Sequence, residues 1–125
     1  MDPVSLFELA TSQSKWLSAR QSAVASNIAN INTPGFRTKD VDSFAKLLNS
    51  QQVSSAGTNP HHIGVGSGRS EFPLVETGAA PNSSESSSVS MEEELVKSSE
   101  IRAAFELNSA IVKAFHRMIT QVSKG

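Results

Sequence analysis

The 125-residue chain lacks cysteine and tyrosine and has a single tryptophan. The missing cysteines exclude a disulfide scaffold, a thiol nucleophile and a cysteine-ligated zinc site. The chain also has no large excess of positive or negative charge. Its 11 Lys and Arg nearly balance its 12 Asp and Glu, and the formal net charge is -1. This balance gives no electrostatic case for nucleic-acid binding, which usually needs a basic surface.

Long apolar runs are missing as well. A membrane-spanning helix needs roughly 18 or more consecutive apolar residues, and the sequence has no such run. The first residues, MDPVSLFELA, lack the basic segment and the apolar segment of a cleavable signal peptide. If the chain leaves the cytoplasm, we expect it to use a route that does not read such a signal.

The first 31 residues predict a long helix. Asp2 followed by Pro3 is typical of an N-cap and a first helical position, where proline loses no hydrogen bond. Apolar residues then recur at helical spacing over about 28 residues, or roughly 40 Å of helix. The residues of this stripe that we expect to pack against neighbouring subunits are Leu6, Leu9, Ala10, Trp16, Leu17, Val24, Ile28 and Ile31.

Residues 90–125 predict a second long helix. Ser90 and Glu93 have the spacing of a capping box at its start. Acidic residues 92–94 near the start and basic Lys113 and Arg117 toward the end suit the helix dipole. Two heptad rows follow the start. Their members that we expect to pack between subunits are Ile101, Phe105, Val112, Phe115, Ile119 and Val122.

The middle of the chain is weakly periodic and predicts an irregular segment. Residues 42–48 predict a short helix capped by Asp40 or Asp42, and residues 63–66 and 72–75 favour short strands that glycine and Pro73 weaken. The serine-rich run at 82–90 indicates a flexible linker. We therefore expect a mainly α fold with three parts: an N-terminal helix and turn over 1–36, an irregular middle with little β structure over 37–89, and a C-terminal helix over 90–125.

No catalytic, cofactor or metal site is predicted. His61 and His62 are adjacent, and adjacent side chains on an extended segment point to opposite sides, so they chelate one ion poorly. The carboxylates at 92–94 diverge by about 100° per residue, and the helix dipole accounts for them without acid/base chemistry. A small metal-dependent enzyme built on the two histidines is a rival hypothesis.

The two apolar helical faces are wider than a single mutual seam requires. Each buried large apolar side chain contributes roughly 1.5–3 kcal/mol, whereas ordering the backbone of one residue costs roughly 1–2 kcal/mol. Two long helices with one seam are therefore marginal alone, and we expect them to pack in an assembly. An ordinary three-helix domain, in which residues 42–48 cover the seam, is the alternative.

The segment ASNIANINTPGF, residues 25–36, ends the first helix. Thr33 to Phe36 place Pro and Gly at the second and third positions of a type II turn. The turn leaves Asn27 and Asn30 unexplained, because asparagine is a poor residue for a helix interior. The residues of this candidate signature are Asn27, Asn30, Thr33, Pro34, Gly35 and Phe36.

This segment resembles the N-terminal signature of the bacterial flagellar rod, hook and hook-associated proteins, which carry SNIAN followed by TPGY or TPGF. The resemblance implies long terminal helices that pack as a coiled-coil-like pair in an axial assembly. The short chain, with TNPHHI at 58–63 and VSMEEEL at 89–95, is most similar to a short proximal rod subunit of that family. The sibling short rod protein FlgC is the nearest alternative.

The resemblance also implies function and partners. It implies a non-enzymatic structural subunit of the periplasmic rod, a torque-transmitting shaft for motility, exported through the flagellar type III apparatus without a cofactor. The implied partners are rod subunits of the FlgC, FlgF and FlgG types, the rod-to-membrane-ring adaptor FliE and the MS ring. Asn27 and Asn30 would then bind across subunits or hold the turn that leads the chain outward. A free helical adaptor or export chaperone is the alternative of another class.

Overall fold

A computed structural model describes residues 3–55, 72–77 and 84–124, and for residues 3, 51–55 and 84–90 it describes the backbone alone. These parts of the chain contain long terminal helices and a small sheet between them, so the predicted mainly α fold with little β structure is confirmed. In chain order the elements are α1 (Pro3–Ala29), β1 (Lys39–Val41), α2 (Phe44–Ser55), β2 (Leu74–Glu76) and α3 (Ser84–Lys124).

Helices α1 and α3 pack side by side and antiparallel. Phe7 meets Phe115 edge to face at one end, with ring centroids 5.9 Å apart, and Asn27 bonds to Glu94 at the other end. The core lies between these ends. Its buried members are Leu17, Val24 and Ile101, with Trp16, Ile28, Ala104 and Phe105 packed against them. The predicted pairing of the two terminal helices is therefore confirmed, and their seam lies within one chain.

The turn after α1 has the geometry that its sequence predicts. The Phe36 amide donates to the Thr33 carbonyl at 3.1 Å, and Gly35 has φ +76°, which together are the marks of a type II turn. A Cβ on Gly35 would meet no atom within 4 Å. Glycine is favoured here by the positive φ alone, not by lack of space.

The sheet pairs β1 with β2 in antiparallel register, with Asp40 opposite Val75. Strand β2 begins directly after Pro73, within the predicted 72–75 segment, and proline fits well just before a strand. Strand β1 was not expected, because a run of three residues carries too little alternation to predict a strand. The other expected strand, at 63–66, lies outside the described residues.

Helix α2 is present, but its predicted cap is wrong. It begins at Phe44, and the Ser43 hydroxyl accepts from the Lys46 amide at 3.3 Å. Ser43 is therefore the N-cap, rather than Asp40 or Asp42. The Asp42 carboxylate instead accepts from the Lys46 ammonium, also at 3.3 Å.

Helix α3 begins at Ser84, six residues before the predicted capping box at Ser90. The serine-rich run expected as a linker is helical from that residue onward. Extending a nucleated helix costs little, and serine is less favourable than alanine by only about 0.7 kcal/mol or less per residue. Residues 92–94 consequently lie in the third turn of α3, where the dipole effect has faded, so the predicted interaction with the helix dipole does not apply to them.

Candidate assembly surfaces and the polar latch

Asn27 ties three elements of the fold together. It is 1% exposed, and its Nδ2 donates to the Lys39 carbonyl at 2.7 Å and to Glu94 Oε2 at 3.0 Å. Its Oδ1 accepts from the Lys39 amide at 3.0 Å. One side chain on α1 thus holds the main chain of β1 in both directions and also reaches α3. We call Asn27, Glu94, Lys97 and the main chain of Lys39 the polar latch.

Glu94 is the acidic member of the polar latch. It is 1% exposed, and its Oε1 accepts from Lys97 Nζ at 3.0 Å, so both carboxylate oxygens have a donor. A buried charge is tolerated only when it is paired in this way. The explanation of Glu94 by the helix dipole is therefore wrong. The sequence does contain one indication that Glu94 faces α1. It lies seven residues before Ile101, on the same heptad row.

Arg20 extends these contacts at the edge of the polar latch. Its Nε donates to Asp40 Oδ1 at 3.3 Å, and its Nη2 lies 3.9 Å from Glu100 Oε2. Its guanidinium also lies 5.6 Å from the centroid of the Trp16 ring. Partly exposed ion pairs of this kind contribute at most about 1 kcal/mol each. They nevertheless connect β1 to both long helices, and no pattern in the sequence predicts them.

Trp16 packs inside the chain. Its indole Nε1 donates to the Asp42 carbonyl at 2.8 Å, and its ring centroid lies 5.8 Å from that of Phe44. The indole therefore joins α1 to the start of α2. In the described structure this residue serves intrachain packing, whereas its predicted role was between subunits.

Asn108 places a polar group in the seam between α1 and α3. Its Nδ2 donates to the Ala10 carbonyl at 3.1 Å and to the Ser14 hydroxyl at 2.8 Å. A buried amide in a helical seam favours the one register in which it finds partners. Asn108 and the polar latch lie well apart along the seam, so sliding α3 past α1 would break both sets of bonds.

Asn30 acts locally at the end of α1. Its Nδ2 donates to the Ser26 carbonyl at 2.9 Å, and its Oδ1 accepts from the Thr33 hydroxyl at 3.4 Å. Two roles were open for Asn27 and Asn30: contact with another subunit, or support of the turn. Their observed bonds favour support of the turn and of the strand that follows it.

The residues predicted to pack between subunits are mostly covered within the chain itself. Five are buried, namely Ala10, Leu17, Val24, Ile31 and Ile101. Seven are half-buried, namely Leu6, Leu9, Trp16, Ile28, Phe105, Val112 and Phe115. Ile119 and Val122 are exposed. The heptad rows therefore describe the seam within the chain, and their role between subunits stays a prediction.

Other apolar side chains remain open to solvent on the long helices. The large ones on α1 and on α3 before residue 119 are Val4, Leu95, Val96, Leu107, Ile111 and Met118. Separately, an open groove of about 380 Å³ runs between α1 and α3, where Phe7, Phe105 and Val112 line it together with Thr11 and Ser109. These surfaces are available to a neighbouring molecule.

The described residues contain no candidate metal centre. Within them no group of three His, Asp or Glu side chains is placed to hold a metal ion, and His61 and His62 lie outside the described ranges. Every buried side-chain nitrogen or oxygen in this part of the chain has a hydrogen-bond partner. Of the helices described, none is long and apolar enough to cross a membrane. Two long packed helices that bond their polar groups to each other and expose large apolar side chains form the arrangement of a structural subunit.

Comparisons with known proteins agree with this class. Residues 15–37, which include the signature turn, match the family described as flagella basal body rod protein. Over 130 aligned residues the chain is 45% identical to the flagellar basal body rod protein FlgB of Agrobacterium fabrum, covering 99% of this chain and 96% of that protein. The chain therefore belongs to the flagellar basal body rod proteins and is a structural subunit of the basal-body rod. Its full-length similarity is to FlgB, and the alternative FlgC is not favoured.

Proposed function

We propose that the chain is a subunit of the proximal rod and that α1 and α3 make its contacts with neighbouring subunits. One observation carries this proposal. In the seam between α1 and α3 the buried polar side chains have hydrogen-bond partners. Large apolar side chains such as Leu107 and Met118 nevertheless remain more than half exposed. Exposed apolar surface beyond the needs of the fold is typical of a protein–protein contact.

The contacts of the seam suit a part that transmits torque. A load applied to α3 passes to α1 through the packed core and through two separated polar contacts, at Asn108 and at the polar latch. Fully bonded buried polar groups permit one arrangement of the helices, because any displacement leaves a donor or acceptor unpaired. Helices α1 and α3 therefore move as one body under load.

The finer assignments follow the same proposal. The chain acts without catalysis or a cofactor, in the periplasmic part of the rod, after export through the flagellar type III apparatus without a cleavable signal peptide. Its neighbours are rod subunits of the FlgC, FlgF and FlgG types, the adaptor FliE and the MS ring. Membership of the flagellar basal body rod family supports this reading.

Deletion and complementation test the proposal. Cells that lack the chain should not swim, and electron microscopy of their basal bodies should show no complete rod. Complementation with Ser109→Lys should fail, because the lysine fills the groove between α1 and α3. Ser99→Lys is the matched control, since it makes the same change at an exposed serine of α3 outside that groove. Normal swimming with intact rods in the deletion strain would refute the proposal.

A further inference from the structure

One row of α3 loses its cover step by step toward the C-terminal end of the helix. Ile101, Asn108, Phe115 and Val122 recur every seven residues, a spacing that turns the side chain by only about 20° around the helix. Ile101 is 1% exposed and Asn108 is 8% exposed, Phe115 is half-buried, and Val122 is 83% exposed. Because all four lie on nearly the same face, the rise in exposure does not come from rotation of the helix.

The position of α1 explains the rise. Phe7 meets Phe115 edge to face, and α1 begins at Pro3, four residues earlier. The two helices are antiparallel and have the same rise, so Pro3 lies opposite about residue 119 of α3. Val122 lies about 4.5 Å farther along, at 1.5 Å per residue. The described part of α1 therefore has no residue opposite Val122.

Residues 119–124 thus extend past the described part of α1, and we call them the α3 overhang. Its apolar members, Ile119 and Val122, are spaced by three and continue the two heptad rows that pack the seam. A heptad row of apolar residues packs best against another helix. Continuity with the seam therefore indicates that a helix of another molecule covers this surface.

Charge specifies the kind of helix that fits the α3 overhang. Lys113, Arg117 and Lys124 are exposed around it, and residues 113–124 contain no acidic residue. An acidic partner is complementary to this end of the chain, and complementary potentials favour one partner and one orientation. The expected partner is a helix that combines acidic and apolar side chains.

The opposite end of α3 has that chemistry. Glu92 and Glu93 are exposed there, next to Leu95 and Val96, which are 54% and 57% exposed. In a head-to-tail assembly every α3 runs in the same direction, so the C-terminal end of one last helix meets the start of the next. A contact between two different patches of this kind does not close on itself and continues along an axis.

We propose that the α3 overhang packs against the acidic start of the last helix of the next rod subunit along the axis. Ile119 and Val122 make the apolar contact, and Arg117 and Lys124 lie near the acidic side chains of the partner. The contact links successive subunits along the rod, so load passes from one last helix to the next. This inference rests on the proposed function and names the partner for the end of α3.

Complementation of a deletion strain tests the α3 overhang. Cells with Val122→Asp should not swim and should show no complete rod by electron microscopy, because a carboxylate enters an apolar contact next to acidic groups. Val122→Leu, which keeps the surface apolar, should restore swimming. Gln121→Asp is the matched control, since it adds the same charge at the adjacent exposed residue, about 100° around the helix. The control should swim normally.

Two outcomes of this experiment separate the inference from the proposed function. If the deletion strain lacks rods and Val122→Asp swims normally, the inference is overturned and the proposed function stands. Equal loss of swimming in Val122→Asp and Gln121→Asp would also overturn the inference, because the effect would then not depend on the face of the helix. If the deletion strain itself swims, the proposed function fails, and the inference fails with it.

A photoreactive residue identifies the partner directly. Benzoylphenylalanine in place of Val122 should form a cross-link on irradiation of swimming cells, and mass spectrometry of isolated basal bodies should locate it in the acidic start of the last helix of another rod subunit. The same residue in place of Gln121 should give little product. A cross-link from position 122 to a part of its own chain, or to a segment without acidic residues, would contradict the proposal.

A charge swap tests the electrostatic part of the contact. The double variant Arg117→Glu and Lys124→Glu should impair swimming, because it places acidic side chains against the acidic partner. Replacing the glutamates of the cross-linked partner segment with lysine should restore swimming. Arg102→Glu reverses a charge at an exposed position of α3 far from the α3 overhang and should have little effect. Failure of the swap to restore swimming would overturn the assignment of an acidic partner.

Discussion

Replacing Asn27 with alanine should be among the most damaging single changes in the described structure. The substitution leaves the amide and the carbonyl of Lys39 without their partner and removes one of the donors to Glu94. The site is 1% exposed, so water does not replace the lost bonds without further opening of the fold. The cost therefore includes the desolvation of groups left unpaired.

The magnitude follows from the three bonds. Each neutral bond to Lys39 contributes about 0.5–1.5 kcal/mol net, and the bond to the charged Glu94 about 1.5–3 kcal/mol. Together they give a loss of about 2.5–6 kcal/mol in the free energy of unfolding. A domain of this kind has roughly 5–15 kcal/mol in total, so Asn27→Ala should remove a large share of its stability.

Urea unfolding followed by far-UV circular dichroism measures this loss. Asn30→Ala is the matched control, because Asn30 lies one turn later, is half-buried and bonds within its own helix end. It should cost less than about 1.5 kcal/mol. Hydrogen exchange supplies a local measurement, since the Lys39 amide should lose protection in Asn27→Ala and keep it in Asn30→Ala. Equal stability losses in the two variants, or unchanged protection at Lys39, would refute the assignment of Asn27 to the polar latch.

Three further changes test the remaining contacts. Glu94→Ala should lower the free energy of unfolding by about 3 kcal/mol or more, because it removes the charged acceptor of both Asn27 Nδ2 and Lys97 Nζ, each bond contributing about 1.5–3 kcal/mol. Exposed Glu92→Ala should change it by less than about 0.5 kcal/mol in the same urea titration. Asn108→Ala should cost about 1–3 kcal/mol through its two lost bonds; no loss would show that the amide does not hold the seam. Gly35→Ala should cost about 1–2 kcal/mol from its positive φ alone, and an unchanged thermal midpoint would contradict the observed turn.

Much of the architecture could be predicted from local sequence. The long terminal helices follow from apolar periodicity, and the turn at 33–36 follows from the positions of Pro34 and Gly35. Strand β1 could not be predicted in this way, because a three-residue strand has no pattern of its own. Its place depends on Asn27, a residue 12 positions earlier. The first turns of α3 were also missed, because a nucleated helix extends through residues that would not begin one.

The candidate surfaces were predicted only in part. The heptad rows correctly marked apolar faces, but a period alone does not say whether a face meets another helix of the same chain or a second molecule. The structure assigns Leu17 and Ile101 to the seam within the chain and leaves Leu107 and Met118 outside. Both sets recur at helical spacing, so only the position of α1 distinguishes them.

The sequence by itself determined the properties that depend on neighbouring residues: two amphipathic helices, a type II turn, and the signature that relates the chain to the flagellar rod proteins. The tertiary structure decided which groups are buried together. Glu94 reads locally as one of three exposed acids, yet it lies in the core because Asn27, 67 residues earlier, and Lys97 supply its donors. The physical reason is that a polar group is buried only where folding supplies hydrogen-bond partners for it. Those partners are distant in the sequence, so a local pattern does not predict them.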